Sequence, residues 1–369
     1  MPKKIFILGG YGNTGYLIAD YLLKETDVQI AIAGRDIDKA SIAAYQLNDK
    51  YRAKRTSSVN LSASDYDWIK KTIEGYDYLV LASSTSDYVE NVVKACLATN
   101  TNYFDTQFSS PEKIKMLRRY ESEIDKKGLT IITDGGYHPG VISALIRYAG
   151  TQFDKMYSAF VYSFVRADWR NYKFSKSTLS EFMSEIKNYN PTILKKGKWK
   201  RIGPLNSKEI YFDREIGVQK TASYYLEELS QLPELLPNLK NAGFYAGGVD
   251  WFTKDFTAPI GHFSYKIFGD ATTKPLVKIF KWGNKKFSKP PYKIKLKLIA
   301  EGISERKNKK FEMSLEHKDG YFLTAIPVVI TISQILKGII NPHGLCFQAN
   351  IVEPAMFFED MEKLGININ

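Results

Sequence analysis

Two stretches of the chain hold residue types whose spacing can do chemistry. In the first, GGYGNTG, Gly10, Gly12 and Gly15 satisfy G-x-G-x-x-G, and Gly9, Gly12 and Gly15 satisfy a looser form of it. Glycines so spaced turn the chain tightly, let a pyrophosphate approach the backbone and let a strand pack closely on a helix. Asn13 and Thr14 complete the loop, and the free N–H groups of the helix that follows face the phosphates. The second stretch, TDGGYHPG (133–140), holds three glycines, a proline and one of only four histidines. His138 is the candidate general acid, because an unperturbed imidazole titrates near neutral pH. Asp134 and Asp105 are candidates to orient His138 or the substrate, and Tyr137 is the reserve proton donor.

The elements that must position these residues are legible around them. KIFILGG is a β-rich apolar run ending in glycine, and Leu17, Ile18, Tyr21 and Leu22 then recur at helical spacing. The next strand, VQIAIAGRD, ends in Gly34 and Arg35 where a carboxylate would take the ribose 2′-hydroxyl of NAD. A guanidinium there suits a 2′-phosphate by charge and by its forked donors, so NADP is the expected cofactor. The alternative is a solvated Arg35 with Asp36 reading an NAD ribose. SSVN is a short third strand whose Asn60 borders the adenine side. YLVLASST is a fourth, ending in Ser83, Ser84 and Thr85 along the cofactor. NYFDT and LTIITDGG are the fifth and sixth.

Alternating elements of these lengths specify a parallel, doubly wound α/β sheet with right-handed crossovers, the Rossmann type. Ligands in such sheets sit beyond the carboxyl ends of the strands. TDGGYHPG then lines the crevice, where its glycines would let the backbone approach a nicotinamide ring.

At 369 residues the chain is too long for one core and reads as two domains. Residues 1–150 form the dinucleotide-binding domain, completed by 325–369 as AIPVVITISQILKG returns to it. Residues 151–324 form an α+β substrate and dimerisation domain with a mixed or antiparallel sheet. MYSAFVYSFV reads as a strand, STLSEFMSEIKNY and YYLEELSQL as helices. YKIKLKLIAEG and FEMSLEH form an antiparallel hairpin around the charged loop ISERKNKK, and pairing through this sheet gives a homodimer.

The net charge of +12 is concentrated: from Lys254 to Lys310 there are 15 Lys/Arg against 4 Asp/Glu. In KPLVKIFKW, Lys274, Lys278 and Lys281 share one helical arc, Leu276, Val277, Ile279 and Phe280 another, and Trp282 lies near the boundary. Peripheral membrane contact through 274–293 is one reading, and a core-facing helix with solvated lysines the other. No recognition motif accompanies the charge, so nucleic acid is not an expected partner. Cys96 and Cys346 give no disulfide framework, and no apolar run suits a signal peptide or membrane span, so a cytoplasmic location is expected. His262, His317 and His343 show no metal-ligand spacing.

GGYGNTGYLIADYL with AGRD, the Tyr-x-Asp-Thr of NYFDT, the turn DGGYHPGV and the helix GYFLTAIPVVITISQILKG resemble the saccharopine dehydrogenase-like family of NADP-dependent oxidoreductases. The resemblance covers the N-terminal half and the C-terminal segment; residues 160–290 match only uncharacterised members. It implies hydride transfer to or from an imine or carbonyl carbon of an amino-acid-derived small molecule. Such a substrate carries carboxylates, for which Arg147, Arg166 and Arg170 are the candidate partners. Two other readings stand beside it. One is reduction of a carbonyl or enoyl group on a lipidic substrate at a membrane surface, the other a non-catalytic NADP-sensing binding protein.

Overall fold

Short apolar runs alternating with amphipathic helices bury both faces only when the strands lie parallel and the helices cover them. The computed structural model, which describes residues 2–83, 85–108, 110–171, 176–203 and 206–369, adopts that solution at its N-terminal end. It divides into two compact units, Met1–Ala144 with Tyr321–Gly365, and Leu145–Gly320 with Ile366–Asn369.

In the first unit β1 (Lys4–Leu8), β2 (Gln29–Gly34), β3 (Thr56–Asn60), β4 (Tyr78–Leu81), β5 (Asn102–Asp105) and β6 (Thr130–Thr133) stand in the order β6-β5-β4-β1-β2-β3. Every pairing is parallel. This is the Rossmann arrangement, with α1 (Asn13–Glu25) after β1 and α2 (Ile37–Tyr51) after β2. A seventh strand, Gly344–Phe347, adds parallel to β6. GLCF is too short to announce a strand in the sequence; its pairing with β6 makes it one.

One face of this sheet packs Phe6, Leu8, Leu79, Leu81 and Tyr103 against Val92, Val93 and Cys96. On the other, Ile5, Ile7, Ile30 and Phe104 pack against Ile18 and Leu22 of α1 and against Ala325, Val328, Val329 and Ile332. The last four lie on the helix Gly320–Leu336, so the closing apolar helix covers the cofactor-domain sheet.

The second unit is built on β7 (Lys155–Arg166), β8 (Thr192–Lys195), β9 (Lys198–Arg201), β10 (Lys208–Tyr211), β11 (Val218–Tyr224), β12 (Asn241–Gly247), β13 (Lys293–Ser304) and β14 (Lys307–His317). The sheet is mixed: β7 pairs β12 in parallel and β13 antiparallel. β13 and β14 form one long hairpin, from Ile294 opposite His317 to Ser304 opposite Lys307. ISERKNKK is therefore mostly strand; the turn is Glu305 and Arg306 alone, at φ 50 and 63. Lysines alternating along β13 are not merely solvated, since Lys295 Nζ lies 2.8 Å from Asp213 Oδ2 and 3.0 Å from Glu316 Oε2.

Two helical expectations change here. YYLEELSQL is not one helix: Tyr224 ends β11, and only a short turn at Glu227–Leu229 and the segment Leu232–Leu235 are helical. Tyr224 pairs with Phe244 across the sheet, and this tertiary pairing overrides the local pattern. KPLVKIFKW, by contrast, belongs to a longer helix, Thr273–Phe287, which also takes in GNKKF. Among the described residues, no helix is long and apolar enough to cross a membrane.

Candidate cofactor site and active site

The loop glycines do different jobs. Gly9, at φ 91, makes the turn, and a Cβ there would stand 2.7 Å from Ser83 Cβ. Its N–H donates to Ala33 O, tying the end of β1 to β2. Gly15 lies against backbone: a Cβ would meet Gly9 O at 2.2 Å and Gly10 Cα at 2.9 Å. Gly10 is also enclosed, with Ile7 O at 2.9 Å from its would-be Cβ. Gly12 differs, because its only neighbour would be Gly9 O at 3.1 Å. It is the N-cap of α1, where it has no side chain to cap the helix, and the first turn has no acidic residue. The helix N-terminus thus presents its donors and its partial positive charge beside a residue with no side chain to block an anion. Asn13 and Thr14 open that helix.

Arg35 and Asp36 differ in their partners. Asp36 is the N-cap of α2: its Oδ1 accepts from Lys39 N, and its Oδ2 lies 2.9 Å from Lys39 Nζ. Those bonds hold its carboxyl below the usual carboxylate range. The carboxylate is spent on starting the helix. Arg35 is exposed, with no hydrogen bond or ion pair among the described residues, so its fork is available to a 2′-phosphate. Tyr11 shapes the same corner. Its hydroxyl accepts from Asp36 N, and its ring fills the space over Gly34, where a Cβ would be 2.3 Å from Tyr11 Cε1. At the end of β3, exposed Asn60 gives its carbonyl to Trp68 Nε1 at 2.9 Å. Trp68, itself exposed, is an aromatic surface the sequence reading did not single out. Ser83 ends the β4 region, with its Oγ 3.1 Å from Thr85 Oγ1. Ser84 lies outside the described residues.

Arg35→Ala is expected to weaken NADPH binding by about 1.5–3 kcal/mol, the worth of a hydrogen bond to a charged group, and to leave NADH binding unchanged. Calorimetric titration with both nucleotides measures this; equal losses for the two would remove the 2′-phosphate role.

At the ends of β5 and β6 the two candidate aspartates meet a residue that the sequence did not offer. Lys113, on the helix Pro111–Arg118, places Nζ 2.8 Å from Asp134 Oδ1 and 3.2 Å from Asp105 Oδ1. Ser110 caps that helix by accepting from Lys113 N. Tyr103 Oη and Thr133 Oγ1 donate to Asp105 Oδ2, and Gln107 N donates to Oδ1. Asp105 and Asp134 are fully buried and Lys113 nearly so. Burial alone would lower the lysine, but the two carboxylates outweigh it and the ammonium pKa is raised. The aspartates thus form a closed ionic lock under the turn.

The turn itself is held by the backbone of Asp105 and by the side chain of Gln348. Gly135 N donates to Asp105 O, and Gln348 donates through Nε2 to Gly136 O and Gly140 O while its Oε1 accepts from Gly136 N. A Cβ on Gly135 would be 2.6 Å from Asp105 O and from Phe104 Cε2, and one on Gly140 would be 2.3 Å from Gly136 O. These glycines serve the folding of the turn onto itself. Gln348 could not have been found from spacing, since it lies 212 residues from Gly136.

His138 keeps part of its side chain at the surface while its Nε2 is enclosed. Burial pushes the imidazole down to about 4, so it is neutral across the physiological range. The reason given for it as a general acid, an unperturbed pKa near neutrality, does not describe this ring. Tyr137 lies beside it with ring centres 5.8 Å apart.

The candidate arginines lie in the second unit. Arg166 is a structural clamp, donating to Gly248 O, Lys289 O and Gln219 Oε1. Arg170 is exposed and donates from Nε to Lys285 O. Arg147 is half-buried on the helix Ile142–Gly150.

Comparison with known proteins finds relatives that share these features. Residues 5–132 match the model of the saccharopine dehydrogenase NADP binding domain. A carboxynorspermidine synthase from Vibrio cholerae is 24% identical over 97% of this chain and 94% of its own length. The saccharopine dehydrogenase [NADP(+), L-glutamate-forming] of Saccharomyces cerevisiae is 26% identical over 38% of this chain and 29% of its own. The apo structure of saccharopine dehydrogenase (L-Glu forming) from S. cerevisiae shares the fold, with a TM-score of 0.67 at 15% identity over 100% of this chain and 99% of that one. NADP is accordingly the cofactor. Residues 5–132 thus form an NADP-binding domain of the saccharopine dehydrogenase type, and the chain as a whole is similar to the saccharopine dehydrogenase-like oxidoreductases.

Proposed function

We infer that this protein reduces, or in reverse forms, an imine between an amine and an amino-acid-derived carbonyl compound, with an amino acid or a polyamine as the amine partner. The observation that carries this reading is the likeness to carboxynorspermidine synthase along nearly the whole of both chains, rather than over the cofactor domain alone.

In this reading Gly9, Gly10, Gly12, Asn13, Thr14 and Gly15 hold the pyrophosphate, Arg35 the 2′-phosphate, and Asn60 with Trp68 the adenine side. Ser83 and Thr85 border the nicotinamide side. NADPH, when bound, supplies the hydride. An imine of an alkyl amine takes up its own proton near neutrality, so a site for it needs orientation more than a strong acid. A neutral His138 suits that, since it offers one donor and one acceptor without repelling a cationic substrate. Asp105 and Asp134, locked by Lys113, act by fixing the turn that carries His138 and Tyr137. Arg147 and Arg170 are the proposed partners of substrate carboxylates.

The test is NADPH oxidation with amines paired with amino-acid-derived aldehydes and keto acids. Turnover should need both partners and should yield a secondary amine detectable by mass. Reduction of a carbonyl compound with no amine present would overturn the imine reading.

His138 also makes a prediction about stability. Its folded pKa, about 4, lies below the unfolded 6.5, so the unfolded chain takes up a proton that the native ring refuses. Stability is then full above the unfolded value and falls as pH drops between the two, by at most about 3 kcal/mol. Urea melts of wild type and His138→Asn at neutral pH and at pH 5 should show the acid-side loss shrinking in the variant; an unchanged pH slope would contradict a buried neutral ring.

A further inference from the structure

In the second unit one helical face is the wrong way round. Phe256, Ile260, Phe263 and Ile267 recur at intervals of four, three and four, which sets them on one stripe of a helix. That stripe faces solvent: the four residues are 48%, 56%, 65% and 56% exposed. The opposite face, Thr253, Thr257, Gly261 and Tyr265, is the buried one. The stripe runs from the turn at Thr253–Thr257 along the helix Ala258–Phe268.

It continues onto the helix Thr273–Phe287. Phe256 packs on Trp251 with ring centres 5.7 Å apart, Trp251 on Phe287 at 5.0 Å, and Phe287 on Trp282 at 5.7 Å. Trp251 and Trp282 are both about half exposed, and Ile279 one turn before Trp282 is exposed as well. A contiguous aromatic patch of this kind on a protein surface marks something that covers it.

The charges around the patch say what. Lys274, Lys278, Lys281 and Lys285 recur at helical spacing along the same helix, all exposed, and none has a carboxylate within ion-pair reach among the described residues. Lys286 Nζ lies over the Trp282 ring, 5.0 Å from its centre. Only three carboxylates occur between residues 249 and 292, and all are engaged. Asp250 is buried and caps Thr253, Asp255 pairs with Lys254, and Asp270 pairs with Lys187. A second copy of this chain, docked face to face, would set these lysines against one another. An anionic surface would pair them while taking up the aromatic rings.

We propose that this two-helix face is a docking surface for an anionic lipid bilayer, with Phe256, Ile260, Phe263, Ile267 and Trp282 entering the headgroup–acyl boundary and the lysines meeting the phosphates. Aromatic rings flanked by long basic side chains are what that boundary accommodates. Both halves are needed: apolar insertion alone would not discriminate between lipids, and lysines alone would be satisfied by salt. The inference does not rest on the imine chemistry, since the face lies in the second unit and contains none of the proposed cofactor residues.

Co-sedimentation of the full chain with vesicles tests it, using phosphatidylcholine mixed with phosphatidylglycerol and phosphatidylcholine alone. Binding should require the phosphatidylglycerol and should fall with added salt. Lys278→Glu/Lys281→Glu should reduce it by about thirtyfold or more, at roughly 1 kcal/mol for each lysine removed. Phe263→Ser/Ile267→Ser should abolish pelleting while NADPH binding, measured in parallel, reports that the variants fold. No pelleting on either vesicle, or equal pelleting on both, overturns the proposal. So does vesicle-free self-association in sedimentation velocity that the Phe263→Ser/Ile267→Ser change removes, which would make the occupant a second copy.

Discussion

Lys113→Met is expected to lower stability by about 3–5 kcal/mol, the cost of leaving buried charges without their counter-ion. Methionine keeps most of the stem's volume, so the loss isolates the charge. Asp105 and Asp134 are left fully buried, with the cation that stood within 3.2 Å of both removed. In a unit of this size that corresponds to a melting point lower by roughly 6–20 °C. The pH dependence gives the loss a signature. One proton taken up by the pair of carboxylates does part of the ammonium's work, so the gap to wild type should narrow as pH falls from 7 toward 4. Wild type behaves differently. Its Lys113 pKa is raised in the folded state, so the lysine's contribution is complete through neutral pH and is lost only in alkali, as pH passes above the unfolded value of 10.5. Thermal melts across that range are the measurement, and a variant that melts with wild type at pH 7 would mean the aspartates are protonated and the lock is not ionic.

The second large effect is on cofactor binding. Gly15→Ala puts a methyl 2.2 Å from Gly9 O and 2.9 Å from Gly10 Cα, and neither neighbour is a flexible side chain that can swing away. The loop must open, with a strain of about 1–3 kcal/mol, and its N–H groups lose their common aim. NADPH affinity should fall by about a hundredfold or more, together with the melting point. Gly12→Ala is the informative companion. Its methyl would have only Gly9 O nearby, at 3.1 Å, so the fold should tolerate it. It would stand where the backbone is bare toward the phosphates, so affinity should fall with little change in melting. Coupled losses for Gly15 and an affinity-only loss for Gly12 would separate packing from access. Equal behaviour of the two would show that the loop's glycines are not specialised.

What the sequence disclosed follows from the range of the interactions involved. The strand–loop–helix of residues 4–25 is a local pattern, and so is the end of β2 at Gly34-Arg35-Asp36. The choice between Arg35 and Asp36 stayed open until the cap of α2 was seen, because a residue's partners, not its type, decide whether its charge is free. Asp105 and Asp134 were recognisable as polar strand ends. Their shared partner was not, since Lys113 reads on its own as one more surface lysine in PEKIKMLR. Gln348 gave no signal at all. His138 was visible, but its enclosure was not, and enclosure moves its pKa away from the value on which its role was first argued. In the basic segment the sequence pattern showed an amphipathic helix; only exposure showed that Phe263 and Ile267 of the neighbouring helix point outward too.

The seventh strand has a consequence for how the protein is made. Gly344–Phe347 and Gln348 leave the ribosome more than two hundred residues after the turn they complete. During synthesis the six-stranded sheet must therefore wait with the β6 edge unpaired and with Gly136 and Gly140 unclamped, while the whole of the second unit emerges. Such an exposed parallel edge is the kind of surface chaperones attend to. The cofactor loop is among the first parts of the chain to be made, whereas the turn bearing His138 takes its final form among the last. A nascent chain arrested before residue 344 would be expected to have its glycine loop formed but the turn bearing His138 unclamped, so that turn is completed only at the end of translation.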